Sequence, residues 1–181
     1  MALVLLIGGA RSGKSAHAVR LARSSRRPVL FVATAEARDE EMAARIRRHQ
    51  SERPAEWQLV EEPLAVRAAL ERAEPEAFVV LDCLSLWVAN LLERGTAPAA
   101  IEQEAKAVAR LAAGRAAPTL AVTNEVGLGV VPVSRLGRSF RDVLGRVNAA
   151  WAEQAVDAAF VVTGRLLSLA RPESSLLGLD D

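Results

Sequence analysis

The feature that most constrains the fold is an apolar run, Leu3 to Ile7, followed at once by the glycine-rich segment Gly8 to Ser15. That segment reads GGARSGKS and fits the phosphate-binding pattern G-x-x-x-x-G-K-[ST]. Glycines at these positions let successive backbone N–H groups turn inward around phosphate oxygens. The pattern predicts a buried strand, a phosphate-binding loop (P-loop) and a helix, and favours this arrangement over a plain glycine-rich turn.

The P-loop pattern also assigns parts to single residues. We expect Lys14 to reach the terminal phosphates and act catalytically, and Ser15 to coordinate Mg²⁺. A nucleoside triphosphate and Mg²⁺ are therefore the predicted cofactors. The expected nucleotide contacts in the loop are Gly8, Gly9, Ala10, Arg11, Ser12, Gly13, Lys14 and Ser15.

Apolar runs of strand length recur along the chain, separated by helical stretches. The predicted strands are Leu3 to Ile7, Val29 to Ala33, Trp57 to Val60, Ala77 to Leu81, Thr119 to Thr123 and Ala159 to Thr163. The predicted helices are Lys14 to Ser24, Arg38 to Ser51, Leu64 to Ala73, Leu84 to Glu93, Pro98 to Ala113 and Ser134 to Val156. Uniformly apolar strands with crossover helices indicate a three-layer α/β fold, with a mostly parallel sheet covered on both faces.

Length and composition favour one domain over residues 1–181, with residues 171–181 as a mobile tail. A net charge of +1 and scattered aromatic residues give no sign of a nucleic-acid partner. The apolar runs are shorter than the roughly 20 residues of a membrane span, so we expect a cytoplasmic protein. The single cysteine, Cys83, is expected to be buried and unreactive.

Ligands of parallel α/β sheets bind beyond the carboxyl ends of the strands. This rule selects Gly8, Thr34, Glu61, Asp82 and Asn124. Asp82 ends an apolar strand and is the predicted protein carboxylate for Mg²⁺. An isolated acid at such a place is commonly a helix cap, but the P-loop favours the metal interpretation.

His49 stands at the basic end of an amphipathic segment that begins with acidic residues at 39–41. Arginines close in sequence favour a neutral, nucleophilic imidazole and can hold an anionic triphosphate for attack. A covalent histidine–nucleotide intermediate is chemically reasonable, although a lone histidine near a helix end is more often a partner of the helix dipole. The other histidine, His17, receives no role.

Thr123, Asn124 and Glu125 open a segment, 123–132, that also contains two glycines and a proline. The pattern fits an active-site loop that orients a substrate hydroxyl or a water, and it fits a plain glycine-rich connection equally well.

Several segments together resemble the bifunctional adenosylcobinamide kinase/adenosylcobinamide-phosphate guanylyltransferase family. They are GGARSGKS at 8–15, EMAARI at 41–46 leading to His49, Arg53-Pro54 and Trp57, DCLS at 82–85, TNEVG at 123–127, Val131-Pro132, and Phe140-Arg141-Asp142 with Gly145 and Asn148. The similarity runs in order through nearly the whole chain.

The resemblance implies two reactions of cobalamin biosynthesis. The first phosphorylates the aminopropanol hydroxyl of adenosylcobinamide with GTP or ATP. The second transfers GMP from GTP onto the resulting phosphate, through a GMP–histidine intermediate at His49, and gives adenosylcobinamide-GDP and pyrophosphate. It further implies a RecA-like P-loop fold, a homotrimer, and a histidine-bearing helix able to move relative to the P-loop.

The resemblance also implies nucleotide contacts outside the P-loop. These are Ala33, Thr34, Ala35, Gln50, Ser51, Glu52, Arg53, Glu61, Glu62 and Asp82, with Ser15 and Asp82 as the metal ligands. The chain departs from some family members at Arg48, where they have a second histidine, and from many at Ala149, where they have glutamine.

Two other functions remain open from the residues alone. In a single-function small-molecule kinase, the basic helix around His49 would only clamp phosphates. In a nucleotide-dependent switch, the loop after Glu125 would act as the moving segment.

Overall fold

Within residues 3–51 and 53–171, which the computed structural model describes, seven strands form one sheet. The strands are β1 (Leu3–Gly8), β2 (Val29–Ala33), β3 (Gln58–Glu61), β4 (Phe78–Asp82), β5 (Thr119–Asn124), β6 (Asp157–Val162) and β7 (Arg165–Ser168). Their order across the sheet is β3-β2-β4-β5-β1-β6-β7. All neighbouring pairs are parallel except β6 and β7.

Helices cover both faces of this sheet, as predicted. They are α1 (Lys14–Ser24), α2 (Glu40–Ser51), α3 (Val66–Glu71), α4 (Leu84–Glu93), α5 (Pro98–Gly114) and α6 (Arg135–Gln154). Residues of α3 to α6 share one hydrophobic cluster with Leu3 and Leu5 of β1. Residues of α1 share a second cluster with Leu6 of the same strand. Because successive strand residues face opposite sides, this alternation confirms the three-layer architecture.

Hydrogen bonds of capping side chains explain where two helices begin. The helix α2 begins at Glu40, later than predicted, because the carboxylate of Asp39 accepts a hydrogen bond from the Met42 N–H at 2.7 Å. The helix α6 begins at Arg135, where the Ser134 hydroxyl accepts from the Gly137 N–H at 3.0 Å. Both polar side chains satisfy N–H groups that have no partner inside the helix.

The strand β7 is absent from the sequence prediction. It pairs antiparallel with β6 across the two-residue turn Thr163-Gly164, whose φ angles are +48° and +76°. Positive φ at both turn residues suits a tight hairpin, but threonine is an uncommon residue at such a position. The four residues of β7 are all exposed and show no alternation, so periodicity could not find them.

The register of the parallel strands brings the predicted strand-end residues to one edge of the sheet. Gly8 pairs with Asn124, and Ala33 pairs with both Asp82 and Glu61. The P-loop therefore opens at the same edge as Asp82 and Asn124. Separately, no helix in the described part of the chain is long and apolar enough to cross a membrane.

An ion-pair cluster ties the segment after β2 to α4. The carboxylate of Glu36 accepts hydrogen bonds from Arg94 at 2.6 Å and from Arg38 at 2.6 Å. Arg38 also pairs with Glu93 and donates to Asn90 Oδ1 at 2.7 Å. The hydrogen bonds from Arg94 first, and from Arg38 second, lower the pKa of Glu36 to about 2.

We expect this cluster to make folding stability depend on pH in the acid range. The pKa of Glu36 is lower in the folded chain than in the unfolded chain, so its stabilisation is present above about pH 4.5 and is lost as pH falls toward about 2. Glu36→Gln should lower the free energy of unfolding at pH 7 by about 1 kcal/mol. Urea unfolding of both proteins from pH 7 to pH 3 measures the difference.

The difference between wild type and Glu36→Gln should shrink as the pH falls. Glu153→Gln, an exposed substitution on α6, serves as the matched control. An equal difference at pH 7 and pH 3 would show that the charge of Glu36 contributes nothing.

Candidate functional site

A cavity of about 540 Å³ lies at the edge of the sheet where the P-loop opens. Residues of the P-loop, α1, α2 and the ends of β4 and β5 surround it. They are Ala10, Arg11, Ser12, Gly13, Lys14, Ser15, Ala16, Glu41, Ala44, Arg48, His49, Asp82, Cys83, Val122 and Asn124. The cavity thus joins the P-loop to the predicted nucleophile and the predicted metal carboxylate.

Lys14 is buried, and oxygen atoms of the P-loop accept hydrogen bonds from its ammonium group. Its Nζ donates to the carbonyls of Gly8 at 3.0 Å and Gly9 at 2.6 Å, and to Ser12 Oγ at 3.3 Å. Gly8 and Gly9 do not line the cavity themselves. They contact it indirectly, because their carbonyls accept hydrogen bonds from Lys14, which does line it. A bound triphosphate can offer oxygens that replace them, which places the ammonium against the phosphates.

Two glycines of the P-loop are required by geometry. A Cβ added at Gly8 would stand 2.3 Å from the carbonyl oxygen of Val161. Gly13 has a φ of +100°, which favours glycine, and it directly precedes the first residue of α1. Close approach and left-handed backbone therefore account for glycine at these two positions of the pattern.

Asp82 and Ser15 line the same cavity and fit a magnesium site. The N-cap position of α4 is Cys83, without a capping hydrogen bond from its side chain, so capping does not account for Asp82. No cluster of three metal-ligating side chains occurs among residues 3–51 and 53–171. Mg²⁺ commonly takes one or two protein oxygens together with phosphate oxygens and waters, and this pair offers that number.

Thr34 and Cys83 support the junction that carries Asp82. Thr34 is fully buried, and its hydroxyl donates to the Cys83 carbonyl at 2.7 Å and accepts from the Cys83 N–H at 2.8 Å. Burial first, and the charge of Asp82 second, raise the pKa of the Cys83 thiol to about 11. The thiol is therefore protonated at neutral pH, and Cys83 is buried as expected.

One face of α2 lines the same cavity as the P-loop. Glu41, Ala44 and Arg48 follow the helical spacing i, i+3 and i+7, and all three line the cavity beside the half-buried His49. From the sequence alone, Glu41 is a helix-start acid and Arg48 is a departure from the family pattern. Their common face on α2 was the signal that could have identified both as cavity residues.

Asn124 is held at the cavity by polar contacts on two sides. Its Nδ2 donates to Ser85 Oγ at 3.0 Å, and its backbone carbonyl accepts from Asn148 Nδ2 at 3.0 Å. Asn148 in turn accepts from the Thr123 hydroxyl at 2.7 Å. Glu125 bonds the Gly127 N–H of its own loop instead of lining the cavity.

The remaining predicted nucleotide contacts do not line the cavity. They are Ala33, Thr34, Ala35, Gln50, Ser51, Arg53, Glu61 and Glu62. Glu52 lies outside the described residues.

Most of these residues make structural contacts near the end of α2 and the start of α3. Gln50 Nε2 donates to Glu61 Oε1 at 3.0 Å. The guanidinium carbon of Arg53 is 3.6 Å from the ring centre of Phe31, which is a cation–π contact. Ser51 donates to the Arg48 carbonyl, and Glu62 accepts from the Ala65 N–H at 2.8 Å.

Comparison with known proteins gives consistent results. The model of a family described as "Cobinamide kinase / cobinamide phosphate guanyltransferase" matches residues 4–169. The bifunctional adenosylcobalamin biosynthesis protein CobP of Pseudomonas aeruginosa is 43% identical over 88% of this chain and 92% of its own. The corresponding proteins, named CobU, of Escherichia coli and Salmonella typhimurium are 38% identical over 90% of this chain and 96% of their own.

Among solved structures, a prototypical ATPase from the type III secretion system of pathogenic bacteria superposes with a TM-score of 0.56. The match covers 96% of this chain and 57% of that ATPase, at 12% sequence identity. At that identity the likeness concerns the fold alone, and it agrees with the predicted P-loop NTPase α/β fold.

Proposed function

The chain belongs to the cobinamide kinase/cobinamide phosphate guanyltransferase family, and we propose that the cavity between the P-loop and α2 serves both reactions. As a family member it is a transferase of adenosylcobalamin biosynthesis. The observation that carries the proposal is the sharing of one cavity by Lys14, Asp82 and His49. A triphosphate bound by the P-loop would thus lie next to a nucleophilic side chain.

In the kinase step, the aminopropanol hydroxyl of adenosylcobinamide would attack the γ-phosphorus of GTP or ATP. The new bond joins that oxygen to the γ-phosphorus, the bond to the β–γ bridging oxygen breaks, and the nucleoside diphosphate leaves. The hydroxyl proton passes to a base or to water. Lys14 stabilises negative charge on the phosphates, while P-loop N–H groups hold them in position.

In the guanylyl step, a ring nitrogen of neutral His49 would attack the α-phosphorus of GTP. The bond to the α–β bridging oxygen breaks and pyrophosphate leaves, so that GMP is held on the imidazole. A phosphate oxygen of adenosylcobinamide phosphate then attacks the same phosphorus, and the bond to histidine breaks. Arg48 lies beside His49 in the cavity, where its guanidinium suits the phosphates that leave.

Ser15 and Asp82 are the residues that would hold Mg²⁺. Bound there, the ion supplies positive charge against the phosphate oxygens. The residues around the Gln50–Glu61 hydrogen bond lie beyond the cavity, and we propose that they meet the nucleoside end of the bound nucleotide, as the family resemblance implies. A homotrimer is proposed on the same resemblance, and a cytoplasmic location is proposed as predicted from the length of the apolar runs.

The alternative of a kinase without guanylyl transfer makes a different prediction for GTP labelled at the α-phosphate. If the proposal holds, Mg²⁺ and labelled GTP leave label on the purified protein that is acid-labile and alkali-stable, as a phosphoramidate is. Protein without label would refute the guanylyl step and leave a single-function kinase or a nucleotide switch. Turnover with the corrinoid alcohol would exclude a nucleotide switch as the main role.

A further inference from the structure

The turn between β6 and β7 contacts the P-loop and does not line the cavity. Its Gly164 N–H donates to the Ser12 carbonyl at 2.8 Å, and a Cβ built on Gly13 would stand 3.4 Å from Gly164 Cα. In β6, two residues before the turn, the Val161 carbonyl approaches Gly8 closely. The hairpin therefore contacts the P-loop near its start, through β6, and near its end, through the turn.

The bond to Ser12 fixes the direction of a P-loop donor. In a planar trans peptide the C=O and the following N–H point in opposite directions. Because the Ser12 carbonyl points to Gly164, the N–H of Gly13 points away from the turn. Gly13 lines the cavity, so the orientation of this one peptide decides whether its N–H is offered to a phosphate.

His17 holds the other side of Gly164. Its Nε2 lies 2.8 Å from the Gly164 carbonyl oxygen, and Arg20 NH2 lies 2.6 Å from its Nδ1. A carbonyl oxygen can only accept, so Nε2 carries the proton that is donated to Gly164, while Arg20 NH2 also lies 3.3 Å from this Nε2. The amide groups on both sides of Gly164 are thus bonded, one to the P-loop and one to α1.

We infer that His17 is a positioning residue for nucleotide binding: through Gly164 it holds the Ser12–Gly13 peptide with the Gly13 N–H directed into the cavity. The inference rests on the proposed function only in that the P-loop binds a nucleoside triphosphate. It gives a role to the histidine that the sequence left without one, and it makes the β6–β7 hairpin part of the nucleotide site.

The test measures equilibrium binding of GTP and of ATP, each with Mg²⁺, by calorimetry on the full chain. His17→Ala should weaken binding about fivefold to tenfold, the effect of one poorly directed hydrogen bond to a charged group. In the kinase reaction KM should rise with little change in kcat, because the Gly13 N–H contacts phosphate in both the ground state and the transition state.

Two further substitutions separate positioning from packing. His17→Gln places a carboxamide N–H near the position of Nε2 and should bind within about twofold of wild type. His17→Leu fills similar space without a donor and should show the loss seen with alanine. Ser24→Ala, whose hydroxyl donates to Leu21 at the far end of α1, is the matched control and should not change affinity.

The outcomes distinguish this inference from the proposed function. Wild-type protein that binds neither nucleotide would refute both. Wild-type protein that binds, with His17→Leu and His17→Gln binding equally well, would refute the positioning role alone. If His17→Ala fails to fold, the comparison of glutamine with leucine still decides.

Discussion

His49→Ala is expected to lose guanylyl transfer by at least about a thousandfold while it keeps most of its kinase activity. The imidazole is the proposed nucleophile at the α-phosphorus, so its removal also removes the covalent GMP label. The γ-phosphate transfer uses the P-loop and the substrate hydroxyl instead. The measurement compares protein-bound label and both turnover rates in the variant and in wild type.

The chain offers a matched control because His17 is its other histidine. His17→Gln should still become labelled at saturating GTP, since His17 does not line the cavity and glutamine keeps a donor to the Gly164 carbonyl. Guanylyl transfer at the wild-type rate in His49→Ala would refute the proposed GMP–histidine intermediate. Loss of both activities in His49→Ala, in a folded protein, would mean that His49 serves the phosphates generally.

Lys14→Ala is expected to impair both reactions, each by about a hundredfold or more. Both steps build negative charge on phosphates held by the same P-loop, and Lys14 is the buried cation within it. The alanine variant also loses the bonds to the Gly8 and Gly9 carbonyls, so the loop itself loosens. Nucleotide affinity and the two turnover rates should be measured together.

Two variants sharpen the result for Lys14. Lys14→Arg keeps the positive charge but replaces a compact ammonium group with a planar guanidinium. We expect this variant to restore little of either activity. Lys106→Ala removes the chain's other lysine, which is exposed on α5, and should leave both rates unchanged. A reaction that proceeds normally in Lys14→Ala does not use the P-loop.

Local chemistry made much of the site predictable. Glycines, a lysine and a serine at fixed spacing specify a strand, a loop and a helix within a few residues, and α1 indeed begins at Lys14. The rule for strand ends follows from parallel pairing, which brings Asp82 and Asn124 to the P-loop edge. These features depend on neighbours in sequence or on sheet geometry, and both can be read from a pattern.

Contacts between distant segments were not predictable in this way. Arg115 is buried, and its guanidinium donates to the carbonyls of Glu74 and Ala77, each at 2.9 Å. Burial lowers the pKa of Arg115, yet nothing in the surrounding sequence separates it from an exposed arginine. The contact of Gly164 with Ser12 is of the same kind, because it spans most of the chain.

The pairing of β1 with β5 and β6 has a consequence for synthesis on the ribosome. The P-loop is translated well before the strands that hold β1 on either side, which are β5 (Thr119–Asn124) and β6 (Asp157–Val162). Long-range pairing of this kind forms late, after the entropy of closing large loops has been overcome. A nascent chain therefore cannot complete the surroundings of the P-loop until β6 has been translated, so the site becomes competent long after the P-loop itself has been made.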